Sequence, residues 1–550
     1  MPDNGSIDAF LAEWFAPIAD KLSSIVFYSP QIGGVQIPLI VLWLMAGAIF
    51  LTVWLRFQPI TGMAHSLDVI RGRFTRKTDP GEVSSFQALA TELSGTVGLG
   101  NIAGVAVAIS MGGPGAALWI ILFGFLAMSV KMAEATMGVK YREISEDGTT
   151  AGGPMYYLKN GFAEIGWKKT GMGLAIAYSI FTLIGVFGAG NLFQANQAAS
   201  ILSTQLGSDF LVDNKWVIGV IMAVLAAIVI LGGISSIARW TAKITPLMAI
   251  IYFLCVIAIL IVHAAEIPAA IGTIFSSAIN PEGVQGGVVG VAIIGIQRAL
   301  FSNAAGVGTA GIAHSAAKTK EPATEGYTAM WEPLVDSVII CSLTALAITV
   351  TGVYKTNGED IDGITMTASA FSTVTAWFPY VLMVAVALFA FSTVLSYSYY
   401  GQLAAEFLFD RSPVVTKVYQ VVWILAVVVG SAISLDSVIA FSDSTFFLMT
   451  IPNLVGLYVL SKILRMEILR HKTRVDVGVL EPVADPELAV GMGDHEPTKE
   501  QIRAAQAEED TATGQIESVR ALLEADPDYP VEPGSGVEAS TETGEIPQVK

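Results

Sequence analysis

Long apolar segments separated by short polar loops fill most of this 550-residue chain. A helix needs about 20 apolar residues to cross a hydrocarbon core of about 30 Å. Eleven segments meet this length within a few residues, at 36–55, 84–110, 115–138, 174–202, 216–234, 241–264, 286–317, 328–353, 378–400, 417–435 and 438–463. We therefore predict an all-α integral membrane protein with about 11 transmembrane helices, numbered here as spans 1 to 11.

Spans 2 and 7 are interrupted by glycines and small polar residues. Ala90–Ile109 reads ATELSGTVGLGNIAGVAVAI, and Ala299–Ala317 reads ALFSNAAGVGTAGIAHSAA. Lipid cannot pair the backbone N–H and C=O groups that a helix break leaves open, so such a break must line a cavity. The pattern predicts a polar binding site between the two breaks. Tight glycine-mediated helix packing without a break is the alternative.

The two breaks lie five spans apart. Spans 2–6 and 7–11 thus form two five-helix units that begin on opposite sides of the membrane, with span 1 in front. This arrangement is typical of the inverted repeats of secondary transporters, whose broken helices hold the substrate near the bilayer midplane. We expect a 5+5 inverted repeat.

Composition and charge support a membrane protein and predict its orientation. Hydrophobic residues make up 53% of the chain and charged residues 14%, whereas soluble domains are about a quarter charged. With the N-terminus outside, the inner loops and the segment after span 11 carry twenty-one Lys and Arg and the outer segments three. By the positive-inside rule we predict a cell-membrane protein with an outer N-terminus and a cytoplasmic C-terminus.

The two ends of the chain differ from the membrane part. Residues 1–35 carry apolar residues at helical spacing with acids between them, which predicts an interfacial helix on the outer surface. Residues 36–464 form the transporter domain. Residues 465–550 form a predicted disordered cytoplasmic tail, in which the stretch from Glu481 onward has seventeen acids against four bases.

Missing motifs narrow the function. The chain has no GxxxxGK[ST] phosphate loop, no arginine-rich voltage-sensor helix and only five scattered histidines. The two cysteines lie in separate apolar spans and predict neither a disulfide framework nor a metal site. No nucleophile-base pair is visible, so we expect neither an enzyme nor a cofactor, and nothing predicts nucleic-acid binding. A secondary transporter remains.

Six motifs resemble the alanine/glycine:cation symporter family. They are SSFQALATELSGTVGLGNIAGVAVAISMGGPGA, KMAEATMGVKYRE, GGPMYYL, GNLFQANQ, RALFSNAAGVGTAGIAHSAAKT and FAFSTVLSYSYYGQ, within about Trp54 to Leu464. The resemblance implies a LeuT-like fold with one added helix. It also implies sodium- or proton-coupled uptake of L-alanine, glycine or a close relative such as D-alanine.

The expected substrate site follows from the two breaks and from this resemblance. Helix starts offer N–H groups to a carboxylate, and helix ends offer carbonyls to an ammonium. The resemblance implies that Gln194 makes a polar contact, with Asn191 as a less certain neighbour, and that Phe301 and Tyr397 form an aromatic wall. The amides of Gln194 and Asn191 could instead bridge packed helices. The candidates are Thr96, Gly98, Gly100, Asn101, Gln194, Phe301, Ser302, Asn303, Gly306 and Tyr397, with Gly308 keeping the backbone accessible.

The coupling ion is expected beside the first break. Sodium takes oxygen ligands, which backbone carbonyls and hydroxyls can supply. In the LeuT-like arrangement one such site joins the broken helix to hydroxyls on span 9. This implies Ser392 and Thr393, with carbonyls near Ser94, Gly95 and Val97. A hydroxyl that only bonds its own helix is the alternative.

Four acids lie at or near membrane depth, where carboxylates are candidate functional groups. Glu92 precedes the first break and is a possible cation or proton site, with a structural role as the alternative. Asp443 is in span 11. Asp336 and Glu134 are expected to pair with basic residues or helix ends.

An ion-coupled symporter importing a small neutral amino acid, alanine or glycine, is the leading function. The open alternatives are an amino-acid sensor that signals through the acidic tail and an amino-acid-gated channel on the same fold. The oligomeric state is left open by the sequence.

Overall fold

The computed structural model describes residues 7–32, 35–145, 148–280, 286–355 and 363–483. Nearly all of this part of the chain is helical, and the two short hairpins Gln31–Ile32/Val35–Gln36 and Glu143–Ile144/Thr150–Ala151 are antiparallel. Most of the predicted acidic tail, from residue 484 onward, lies outside the described residues. The predicted tail boundary at residue 465 falls within helix Ser461–Asp476.

Each predicted span corresponds to helical structure. The first unit and span 1 comprise Leu39–Trp54, Ser85–Thr96 with Ala103–Gly112, Ala116–Lys140, Lys168–Phe187 with Phe193–Leu206, Trp216–Ile230 and Gly233–Val262. The second unit comprises Gly287–Asn303 with Thr309–His314, Pro322–Ala329 with Trp331–Pro333 and Cys341–Thr351, Phe378–Leu408, Pro413–Ala432, and Leu435–Leu448 with Thr450–Val459.

The predicted fold class is confirmed, whereas the count of eleven stays a prediction. In the described residues seven helices are long and apolar enough to cross a bilayer, and the bent pair in span 2 makes an eighth. The helices of spans 1, 5 and 7 are apolar but shorter, at 16, 15 and 17 residues.

Connecting helices complete the described structure. They are Ile7–Val26, Gln58–Thr61, Met63–Ile70, Pro154–Glu164, Asp209–Asp213, Ile267–Ile279, Gly363–Ser372 and Ser461–Asp476, with 3-10 turns at Leu99–Asn101, Ala264–Glu266 and Val353–Lys355. Helix Ile7–Val26 packs on span 11, where the rings of Phe15 and Phe441 are 4.9 Å apart. Its placement at a membrane surface stays a prediction.

Local sequence explains where span 2 begins, and two other spans contain wide turns. Ser84 Oγ accepts the Gln87 N–H and Gln87 Oε1 accepts the Ser84 N–H, a capping box that starts the helix. Spans 4 and 8 each contain a π-helical segment, Gly188–Leu192 and Leu334–Ile340. Such wide turns are frequent at functional sites. Asp336 of Leu334–Ile340 contacts both broken helices, whereas Gly188–Leu192 packs on spans 9, 10 and 11.

Candidate substrate and cation site

Span 2 breaks after Thr96, as the glycines predicted. Its two halves meet at a bend of 54°. Inside the break, the Gly98 N–H donates to Asn101 Oδ1 at 3.2 Å and the Leu99 N–H donates to Gln194 Oε1 at 3.3 Å. A Cβ added at Gly98 would lie 2.7 Å from Thr393 Oγ1, so only glycine allows this approach.

Span 7 breaks at Ala304 to Gly308, where three residues have positive φ: Ala304 at 53°, Gly306 at 90° and Gly308 at 93°. Glu134 of span 3 caps the second half-helix. Its Oε1 accepts the N–H groups of Gly306 at 2.8 Å and Gly308 at 3.0 Å. The expected pairing of Glu134 with a helix end is therefore present.

The carbonyls of this second break are also occupied. Asn453 Nδ2 donates to the Gly306 carbonyl at 2.7 Å, and the Tyr178 hydroxyl donates to the Val307 carbonyl at 2.9 Å. Gly306 and Gly308 thus do not leave the backbone accessible in this conformation, contrary to the expectation from sequence, because three other spans supply partners for it.

The two breaks lie against each other and share one carboxylate. A Cβ added at Gly100 would lie 3.2 Å from Ser302 Cα. Asp336 of span 8 accepts Asn101 Nδ2 at 2.6 Å and the Ser302 hydroxyl at 2.7 Å. Asp336 was expected beside a basic residue or a helix end, but its carboxylate instead bridges polar side chains of both broken helices.

Asn303 contributes to the second break itself. Its Nδ2 donates to Ser337 Oγ at 2.9 Å, and its Oδ1 accepts the Ala305 N–H at 3.0 Å. Both ends of the amide are therefore used within the protein. Only its backbone carbonyl remains as a candidate group for a ligand.

The two predicted amides of span 4 have different surroundings. Gln194 reaches the first break through Leu99, and its Nε2 donates to the Ala189 carbonyl at 3.0 Å. Asn191 Nδ2 donates to the Trp423 carbonyl of span 10 at 2.8 Å. The structure thus brings Gln194 to the breaks, whereas Asn191 bridges two helices.

Aromatic rings surround the meeting point of the breaks. Phe301 lies 5.2 Å from Phe193 and 5.9 Å from Phe446, measured between ring centroids. Tyr397 lies 6.0 Å from Phe446. Phe446 thus connects the two predicted wall residues. Neither Phe193 nor Phe446 was predicted, because nothing marks them among the many apolar residues of their spans.

Oxygen atoms of spans 2 and 9 lie together as a cluster at the residues named for the coupling ion, and cation binding there stays a prediction. The Ser94 carbonyl accepts Thr393 Oγ1 at 2.9 Å and Ser392 Oγ at 3.5 Å, and Ser94 Oγ donates to the Ser392 carbonyl at 2.9 Å. Ser396 Oγ, which sequence reasoning missed, donates to Ser94 Oγ at 3.0 Å. Carbonyl and hydroxyl oxygens of this kind suit sodium.

The hydroxyls of span 9 are used differently. Ser392 Oγ also donates to the Phe389 carbonyl of its own helix at 3.0 Å, which is the structural alternative. Thr393 reaches across to span 2. Gly95 and Val97 flank the cluster, and Gly95 faces Tyr397, whose ring would lie 3.1 Å from an added Cβ.

Glu92, two residues before Ser94 of the cluster, belongs to an ion pair. Its Oε1 accepts Lys131 Nζ and Thr309 Oγ1, each at 2.6 Å, and its Oε2 accepts the Tyr400 hydroxyl. Sequence reasoning missed Lys131, although a lysine inside apolar span 3 is a visible signal. The same holds for Arg298 of span 7, which pairs with Asp443 of span 11.

An apolar groove of about 110 Å³ runs between spans 2, 6 and 8, lined by Phe86, Leu89, Leu93, Pro246, Val335 and Ile340 among others. Such a lining has little to offer a zwitterion, which needs donors and acceptors. The meeting point of the breaks is therefore the better candidate site.

Comparisons with known proteins place the chain in a family. A family model described as the sodium:alanine symporter family matches residues 24–485. The sodium/alanine symporter AgcS of Methanococcus maripaludis is 37% identical over 432 residues, which cover 78% of this chain and 93% of that protein. The probable sodium/glutamine symporter GlnT of Bacillus subtilis is 29% identical over 448 residues, covering 81% and 90%.

Among solved structures, MhsT in complex with L-phenylalanine matches with a TM-score of 0.48 at 16% identity, covering 73% of this chain and 98% of that one. The family model and the relative at 37% identity extend over most of the chain, and the family model includes both breaks. The chain belongs to the sodium:alanine symporter family and is a multi-pass, cation-coupled amino-acid symporter.

Proposed function

We propose that this symporter couples inward sodium flux to the uptake of a small neutral amino acid, alanine or glycine, by alternating access around the two breaks. The observation that carries the proposal is the meeting of the breaks, with Gly100 against Ser302. In the proposed orientation the N-terminus lies outside and residues 465–550 lie in the cytoplasm.

The amino-acid carboxylate binds at the first break. There, Gln194 and Asn101 hold the N–H groups of Leu99 and Gly98 through neutral amide oxygens. A carboxylate is a stronger acceptor than an amide, and charge-assisted hydrogen bonds are about twice as strong as neutral ones. The ligand therefore replaces these contacts, and the positive end of helix Ala103–Gly112 favours its charge.

The ammonium binds at the end of helix Gly287–Asn303. The carbonyls of Phe301, Ser302 and Asn303 lie in the last turn, where the helix dipole is negative. Asp336 accepts the hydroxyl of Ser302, so its negative potential acts in the same direction. The carboxylate and the ammonium are thus assigned to different broken helices.

The aromatic rings limit the size of the substrate. Phe193, Phe301, Phe446 and Tyr397 surround the meeting point with centroid separations of 5.2 to 6.0 Å. Such rings leave little volume for a side chain, which favours alanine or glycine over glutamine. Side-chain volume is therefore the property by which the site distinguishes alanine and glycine from glutamine.

Sodium binds at the oxygen cluster of Ser94, Ser392 and Thr393, with Gly95 and Val97 at its edge. In the present conformation these hydroxyls hydrogen-bond to carbonyls across spans 2 and 9. Sodium between the two spans would replace those bonds with ion-oxygen contacts. Because the cluster lies on the helix that carries the first break, ion binding orders the substrate site.

The test is uptake of labelled alanine into proteoliposomes, first with an imposed sodium gradient and then with a proton gradient alone. We expect accumulation with sodium and competition by glycine but not by glutamine. Accumulation with neither gradient would refute ion-coupled uptake. Alanine-dependent current without a fixed ion-to-alanine ratio would indicate a channel. Binding without transport would indicate a sensor.

A further inference from the structure

A buried histidine lies between two buried glutamates beyond the cation cluster. His314 Nε2 is 2.7 Å from Glu332 Oε1, and His314 Nδ1 is 2.6 Å from Glu325 Oε2. All three side chains have 0% exposure. We refer to Glu325, His314 and Glu332 as the His314 triad.

The His314 triad joins four spans. His314 ends the second half of span 7, and Glu325 and Glu332 lie at the start of span 8. Ser85, at the start of span 2, donates to Glu325 Oε1 at 2.6 Å. Lys131 of span 3 lies 3.1 Å from Glu332 Oε2 as an ion pair outside hydrogen-bond geometry.

Hydrogen-bond chemistry gives the number of protons in the triad. A neutral imidazole has one N–H donor and one acceptor nitrogen, and an ionised carboxylate only accepts. Two contacts this short each need a hydrogen. The triad therefore holds one proton more than a neutral imidazole with two carboxylates, either as imidazolium or as a carboxylic acid.

The charged groups around the triad do not compensate for the loss of this extra proton. The titratable and charged groups on the packed elements that interact electrostatically with the triad are Glu92, Lys131, Glu134, Tyr400 and Arg142. Lys131 is shared between Glu92 and Glu332, with 2.6 Å to the first. Without the extra proton, a buried carboxylate would face an imidazole lone pair, and unpaired buried charge is costly.

The triad lies on one side of the breaks. Ser85 is eleven residues before Thr96, roughly 16 Å along a helix axis at 1.5 Å per residue. On that side Val83 bridges to Ala317, and Arg142 donates to the carbonyls of Pro80, Ser315, Ala317 and Thr319. The proposed orientation makes this the cytoplasmic side, and these contacts hold its segments together in this structure.

We propose that the His314 triad is a proton-binding site whose bound proton holds the cytoplasmic side of the transporter closed. The inference rests on the proposed alternating access. With the proton, both imidazole contacts are hydrogen bonds between spans 7 and 8, and Glu325 holds span 2 through Ser85. Loss of the proton to the cytoplasm makes one contact repulsive, so these helix ends separate.

The decisive variant is Glu325→Gln. The amide oxygen can still accept from Ser85, and its NH₂ group can donate to Nδ1 of a neutral His314. The imidazole then donates through Nε2 to Glu332, so both contacts form without the extra proton. Glu332→Gln gives the mirror arrangement and serves as a second variant if the first does not fold.

The experiment is sodium-driven alanine uptake into right-side-out membrane vesicles, with the outer pH fixed and the luminal pH varied from 6 to 8. For the unmodified protein we expect uptake to fall at least fivefold as luminal pH falls. Binding of a single proton can change the uptake rate by at most tenfold per pH unit. For Glu325→Gln we expect a change below twofold.

The matched control is Glu143→Gln, which alters a carboxylate paired with Lys159 in the hairpin outside the triad. It should keep the pH profile of the unmodified protein. A flat profile in the unmodified protein, or an unchanged profile in both Glu325→Gln and Glu332→Gln, would overturn the proton site. Absence of sodium-driven uptake at every pH would instead overturn the proposed function.

Discussion

Both broken helices leave backbone groups without partners inside the helix, and different side chains bind those groups in spans 2 and 7. In span 7 the exposed backbone is held by Glu134, Asn453 and Tyr178, three side chains from other spans. In span 2 the break is held by Asn101 of its own helix and by Gln194. The partners of span 7 include the Glu134 carboxylate, which accepts from three donors. Those of span 2 make single neutral hydrogen bonds.

This difference assigns different tasks to the breaks. Backbone groups bound by a buried carboxylate are hard to free, because the donors left behind lose their partners. Neutral single bonds are exchanged more easily for a ligand. In the proposed substrate site, span 7 is thus the firmly held side, and span 2 is the side where the substrate exchanges hydrogen bonds with the protein.

The largest expected effect comes from Glu134→Ala, which tests how firmly the span 7 break is held. The change leaves Gly306 N–H, Gly308 N–H and Asn453 Nδ2 without this acceptor. Each unpaired buried donor costs about 1–3 kcal/mol. We expect a strongly lowered melting temperature in detergent. Glu134→Gln, which keeps an acceptor oxygen, should melt close to the unmodified protein, and equal losses in both variants would contradict this role.

The proposed exchange of hydrogen bonds at the span 2 break is tested by comparing Gln194→Ala with Asn303→Ala. Gln194 Oε1 accepts the Leu99 N–H that the substrate carboxylate is proposed to take over. Gln194→Ala therefore removes a competing acceptor and should lower the Kd for alanine about tenfold, as for one hydrogen bond. The Asn303 amide is bound within the span 7 break. Asn303→Ala should therefore lower the melting temperature, with a smaller change in Kd. Binding isotherms and melting curves on both variants separate the two outcomes.

Thr393→Val removes the hydroxyl that joins span 9 to the Ser94 carbonyl. We expect the sodium concentration for half-maximal alanine uptake to rise about tenfold, as for the loss of one hydrogen bond or ligand oxygen. The matched control is Thr349→Val, whose hydroxyl bonds only Ala345 of its own helix. If both variants shift the sodium requirement equally, the oxygen cluster is not the ion site.

The smallest effect lies outside both breaks, in the loop between spans 1 and 2. Burial, together with His471 at 2.9 Å, lowers the pKa of His65 from 6.5 to about 4. The unfolded chain therefore binds more protons at this residue, and stability falls as pH drops from 6.5 toward 4. His65→Gln should melt with a slightly weaker acid dependence over this window. Identical dependences would show that the contact is unimportant.

The two helix breaks could be predicted from the sequence because their physical requirements are local. Glycines interrupt an apolar run at Gly98 and Gly306, and lipid cannot satisfy a broken helix, so a site must follow. The meeting of Ser94 with Thr393 depended on the family resemblance. The bridge from Asp336 to both breaks was not predictable, because it depends on how span 8 is rotated against its neighbours.

Asn191 and Gln194 show the limit of helical periodicity. Residues three apart share a face of an α-helix, so Asn191 was expected as a less certain neighbour of Gln194 at the site. The π-helical segment Gly188–Leu192 widens the turn just before Gln194 and changes that phase. One amide therefore faces span 10 and the other faces the break, and no residue pattern announced the wide turn.

The pairing of Glu92 with Lys131 also bears on how the chain enters the membrane. A lone lysine at the centre of a membrane helix costs about 2.5–3.5 kcal/mol during insertion. The two charges lie in consecutive spans, 39 residues apart, and meet at 2.6 Å. Spans 2 and 3 can therefore insert as a hairpin whose charges neutralise each other, before span 8 has been synthesised.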